Sequence, residues 1–160
     1  MATEAPISKY NLRTLKIYII VCVGVGIALA YDGYLSKYEW SRRHDFYQEH
    51  VIDNGGEPDS SMMFNRYLPP LLVVGAIFFA TRLSMIKNKK VIADDTSLII
   101  GPKTITYDSI EKINKTYFKS KGYFIVTYKD QQGTDTDVKI SDKTYDNLEP
   151  LLDEIVTKIS

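Results

Sequence analysis

Residues Ile17–Tyr31 read IYIIVCVGVGIALAY, fifteen residues without a charge. Bounded by Lys16 and extended through Leu35, the segment reaches about twenty residues, enough as a helix to cross roughly 30 Å of hydrocarbon. A buried globular helix of this length usually shows a polar face, and this one has none. A secretory signal peptide would explain Lys9, Arg13 and Lys16 before it and the small residues Ala28–Ala30 within it. A second apolar stretch argues against that. Tyr67–Thr81 reads YLPPLLVVGAIFFAT and extends to Ile86 when Arg82 snorkels to the interface. Pro69 and Pro70 suit a first helical turn, or bend a helix that begins earlier, around Ser60.

Backbone groups in lipid must be satisfied internally, so two such stretches predict a helical transmembrane hairpin, residues 16–35 and 67–86. Tyr18, Tyr31, Tyr34 and Tyr67 fall near the expected interfaces. Basic residues set the orientation. Segment 1–15 and the boundary Lys16 carry three bases against Glu4, and Arg82, Lys87, Lys89 and Lys90 follow the second span with no acid among residues 82–90. The connecting loop, residues 36–66, holds four bases and six acids. Both termini are therefore expected in the cytoplasm of a multi-pass cell (inner) membrane protein, with the loop outside. Arg82, Lys87, Lys89 and Lys90 form a basic cluster suited to anionic membrane lipids.

Within the loop, residues 34–52 read as an extramembrane helix of roughly five turns, stopped by Asp53-Asn54-Gly55-Gly56. Trp40, Phe46 and Tyr47 are its candidate partner contacts. His44, Asp45, Glu49 and His50 invite a metal reading, but the histidines are six apart and diverge by about 120° on a helix, and no HExxH spacing is present. A solvated face or partner contact is the simpler account. On the spans, Gly24, Ala28, Gly75 and Ala80 are the expected helix-packing residues, serving the hairpin or a second chain. Cys22 is alone in the sequence, which excludes a disulfide framework. Asp32, at the outer end of the first span, reads as a solvated interfacial acid.

After Lys90 the pattern changes to short alternating runs: 97–100, 104–107, 110–117 with a bulge, 122–128 and 136–140. Leu148, Leu151, Leu152, Ile155, Val156 and Ile159 then form one helical stripe, with Pro150 in the first turn. The chain is thus expected to be an α+β membrane protein in which a small curled antiparallel sheet is capped by a C-terminal helix. The order Asp95…Leu98-Ile99-Ile100, Ile105…Tyr107-Asp108-Ser109-Ile110, Lys121-Gly122-Tyr123, Tyr128-Lys129-Asp130…Gly133 and Tyr145-Asp146-Asn147-Leu148 resembles the bacterial pleckstrin-homology-like domains over residues 90–160. That resemblance implies the capped curled sheet, sometimes attached to membrane spans, in domains that serve mostly for binding or assembly.

Lys+Arg and Asp+Glu are 20 each, which argues against a nucleic-acid partner. Residues 91–160 hold nine Lys, no Arg and twelve Asp+Glu. Lys112, Lys115, Lys119 and Lys121 cluster around one strand connection, yet without Arg no bidentate phosphate contact is available, and a solvated loop explains them. No GxSxG, P-loop or GxGxxG occurs, and neither histidine lies in the C-terminal domain. The expectation is a protein without catalytic site, metal or cofactor. It would be a membrane-anchored interaction or assembly module binding a protein partner or a second copy of itself. The alternative is a structural accessory subunit of a larger membrane complex.

Overall fold

The computed structural model describes residues 2–159, which form two compact units, Met1–Arg13 with Ser84–Ser160 and Thr14–Leu83. The first unit contains seven short strands in two antiparallel sheets and a C-terminal helix. Strands β1 (Thr3–Pro6), β2 (Lys90–Ala93), β3 (Ser97–Ile100) and β4 (Lys103–Thr106) lie in that order in one sheet. Strands β5 (Ile110–Asn114), β6 (Tyr123–Lys129) and β7 (Asp135–Ser141) form the other. The single curled sheet expected from the sequence is therefore divided. The break is the 3₁₀ turn Tyr107–Ser109, where Tyr107 is buried and its hydroxyl donates to the Asp94 carbonyl at 2.8 Å. A backbone turned in this way cannot continue a strand ladder.

Alternation fixes which residues meet. Ala93, Leu98 and Ile105 are cross-strand neighbours on one face, and Ala5 pairs with Val91. On the second sheet Phe124 pairs with Ile140 and Val126 with Val138. Ile110 and Lys112 pair out of step, so the expected bulge is present at Glu111. The third run ends at Asn114, before Tyr117. Helix α5 (Leu148–Ile159) buries Leu148, Leu151, Leu152 and Ile155, spaced i, i+3, i+4 and i+7, into the core these strands line.

Strand β1 is the main departure from the sequence reading. Residues 1–15 do not form a separate tail, because Thr3–Pro6 pairs along the whole of β2. Ala5 is fully buried in the core. The run is too short, and too mixed in side chains, for alternation to reveal it.

The second unit holds two helices long and apolar enough to cross a membrane. Helix α1 (Lys9–Ala30) begins in the first unit and continues into a π-helical turn, Tyr31–Leu35. A second long helix, Ser60–Ile86, contains Pro69 and Pro70 in its interior, which corrects their placement in a first turn. The loop helix expected over 34–52 is broken up. Only His44–Tyr47 is α-helical, followed by a π-helical turn at Gln48–Ile52. Ser36 and Ser41 account for the break: the Ser36 hydroxyl donates to the Asp32 carbonyl, and Ser41 Oγ accepts from the Arg43 amide at 3.2 Å. Such side-chain bonds compete with a helical ladder. In chain order α2 is His44–Tyr47, α3 Ser60–Ile86 and α4 the short Phe118–Lys121.

Candidate functional site

The residues proposed for helix packing divide into two groups. Gly75 faces the other helix, since a Cβ there would lie 3.7 Å from Cys22 Sγ. Gly24 faces open space, with nothing within 4 Å of its Cβ position, and Ala28 and Ala80 are exposed. Their place in the hairpin contact is taken by Gly26, whose Cβ position is 3.7 Å from Leu72, and by buried Ala76. Tyr18 and Phe79 add a ring contact at 5.2 Å.

The tightest approach is at Gly33, which the sequence reading passed over. A Cβ at Gly33 would fall 2.5 Å from the Asn65 carbonyl oxygen. Pro69 and Pro70 lie four residues after Asn65 and Arg66, and proline has no N–H to donate to the carbonyl four residues back. The Asn65 and Arg66 carbonyls are thus without their usual helical donors. The Tyr34 hydroxyl donates to the Arg66 carbonyl at 2.7 Å, and Arg66 Nε donates to the Gly33 carbonyl at 3.0 Å. The two prolines, Gly33 and Tyr34 form one device. Helix α3 surrenders hydrogen bonds, and the end of the first long helix comes close enough to replace one of them. The sequence signal was a Pro-Pro pair inside an apolar helix together with a Gly-Tyr pair at the end of the other.

Beside this clasp the loop is held by polar pairs. Arg43 forms a fork on Asp32, Nε to Oδ1 at 3.0 Å and Nη2 to Oδ2 at 3.2 Å. The hydrogen bond and the charge of Asp32 hold the Arg43 pKa above its ordinary value. Asp32, expected to be simply solvated, is therefore an anchoring partner. His44 Nδ1 lies 3.1 Å from the Ser36 carbonyl, whereas His50 Nδ1 lies 2.8 Å from Asp59 Oδ2. Asp59 also caps α3, its Oδ1 accepting from the Met62 amide at 2.9 Å. This amide bond first, and the His50 contact second, lower the Asp59 pKa. Among the described residues no three His, Cys, Asp or Glu side chains are grouped to hold a metal.

The three candidate partner contacts behave differently. Trp40 is 68% exposed and stacks on Tyr38 at 5.5 Å, so this aromatic pair is available at the surface. Phe46 is half-buried between the Arg43 guanidinium at 5.1 Å and the His50 ring at 4.2 Å, and Tyr47 stacks against His44. Both are largely spent inside the loop. In the basic cluster, Arg82, Lys87 and Lys89 are exposed, but Lys90 starts β2 and pairs with Glu4 at 2.6 Å. No family model, no curated protein and no solved structure matches the chain.

Proposed function

We propose that this chain is a membrane-anchored, non-catalytic interaction or assembly module, with a pleckstrin-homology-like domain on the cytoplasmic side that binds a protein partner. The observation that carries the reading is the pairing of β1 with β2. β1 precedes the first long helix and β2 follows the second, so both ends of the hairpin return to one folded domain. That is what an even number of membrane crossings requires. Support for crossing comes from Ile20, Val21, Ile27, Leu71, Val74, Ile77 and Phe78, which are exposed along the helices. That much uncovered apolar surface calls for lipid or protein around it. The seven short antiparallel strands and the helix over their core support the domain assignment, and the excess of bases flanking the spans supports cytoplasmic termini.

Gly24 and Ala28, four apart and exposed, favour a second reading, an accessory subunit or oligomer packed through this face of the first helix. Mild-detergent purification of the full chain from native membranes, read by native mass spectrometry, separates the two. A stoichiometric partner retained by Gly24→Leu/Ala28→Leu but lost on unfolding the domain with Leu152→Asp supports the interaction module. The reverse pattern supports the accessory subunit. A monomer without partner in both detergent and nanodiscs refutes both readings.

A further inference from the structure

Residues 91–160 are acidic as a whole, yet one cavity among them is lined by four lysines. It measures about 560 Å³, within the range of small-ligand sites. Lys119 and Lys121 come from α4, Lys139 from β7, and Lys143 from the turn that follows. Other lysines of this unit are paired with carboxylates: Lys90 with Glu4, Lys129 with Glu111, and Lys158 with Asp95. Among the described residues none of the four cavity lysines has such an ion pair.

Two of them are instead held by aromatic rings. Lys139 Nζ lies 3.8 Å from the Tyr123 centroid and Lys121 Nζ 4.8 Å from that of Tyr117. The two rings stack on each other at 5.5 Å. A ring positions an ammonium group without neutralising it, leaving the charge available to an anion. The single carboxylate in the cavity, Asp142, lies across Gly122, whose φ of +68° and missing Cβ admit it. Four cations face one anion in a domain of opposite overall charge.

We propose that this cavity binds a ligand bearing phosphate groups, supplied either by a phosphorylated lipid headgroup or by a soluble phosphate compound. Lysine binds phosphate as a point charge and needs no arginine fork. With an ammonium group and a second ring against each tyrosine, the aromatic pair is committed to placing lysines and is not offered to a nucleobase. The phosphate itself is the recognised chemistry.

The test uses the full chain in phosphatidylcholine nanodiscs, titrated calorimetrically with inorganic tripolyphosphate. Saturable binding is expected, weakening as salt rises. Lys121→Gln/Lys139→Gln should lower the affinity about tenfold or more, and Lys143→Gln alone by less. Lys103→Gln, an equal charge change outside the cavity, should leave it unchanged. Both cavity variants should keep the wild-type thermal transition, since all three lysines are exposed. Adding phosphatidic acid to the discs distinguishes the sources. Loss of titratable binding assigns a lipid headgroup, and unchanged binding assigns a soluble ligand. No saturable binding in phosphatidylcholine discs, or a loss on Lys103→Gln equal to that of the double variant, overturns the proposal.

Discussion

At the scale of single residues, Gly33 and Gly24 make opposite predictions from the same residue type. Gly33→Ala puts a methyl group 2.5 Å from the Asn65 carbonyl, so helix backbones must move apart, at a cost of about 1–3 kcal/mol. Gly24→Ala meets nothing within 4 Å and should be neutral or slightly stabilising, because alanine loses less backbone entropy in a helix. Thermal unfolding in one detergent compares the two directly. Tyr34 offers a finer test. Tyr34→Phe leaves the Arg66 carbonyl without its cross-helix donor and should cost about 0.5–1.5 kcal/mol. Pro70→Ala restores a donor within α3, so in that background the same substitution should cost less. A double-mutant cycle reads this coupling, and strict additivity would show that the proline and the tyrosine are independent. Asp59 supplies a pH signature. Its folded-state pKa is lowered, chiefly by the Met62 amide, so the stability it contributes is present above the ordinary carboxylate range. It is lost as pH falls through the depressed value. Asp59→Asn keeps a capping oxygen but removes the titration, and should flatten the acid limb of the transition temperature.

At the scale of elements, α5 tests the core. Leu152 is buried between Leu151 and the rest of the helical stripe, and its side chain has no polar neighbour among the buried residues of the core other than Tyr107. Leu152→Asp should abolish the cooperative transition of the C-terminal domain, at a cost of several kcal/mol, on the order of 3–5. Asp153→Asn, one residue along on the exposed face, should leave that transition in place. The helix was legible beforehand because six apolar residues recur at helical spacing over three turns. The loop helix was not, although its composition was similar. There the serine hydroxyls offered the backbone local partners, and periodicity carries no information about that competition.

At the scale of the whole molecule, the C-terminal domain should not be whole as residues 90–160. It lacks β1, and with it Ala5 in the core and the ladder along Lys90–Ala93. The Ile7 amide bonds to the Lys89 carbonyl at 3.3 Å, so the two chain segments that flank the helical hairpin lie side by side. Joining residues 2–8 to residue 89 through a short Gly-Ser linker should therefore yield a soluble domain without the hairpin. Its transition temperature should exceed that of fragment 90–160. Equal stability of the two would show that β1 contributes nothing to the fold.

The sequence by itself determined the two long apolar helices, most of the strands of the C-terminal domain and the stripe of α5. Each is a repeat of apolar side chains along one segment, and such a pattern can be read without knowing its neighbours. Tertiary structure decided the rest. Only folding brings Thr3–Pro6 to Lys90–Ala93, turns Gly26 and Gly75 inward while leaving Gly24 outside, and sets Tyr34 against a carbonyl deprived of its donor by Pro70. It also gathers Lys119, Lys121, Lys139 and Lys143 around one cavity, where the sequence offered a different set of four on a solvated loop. These are contacts between segments distant in the chain, and a local pattern holds no record of the partner that will satisfy it.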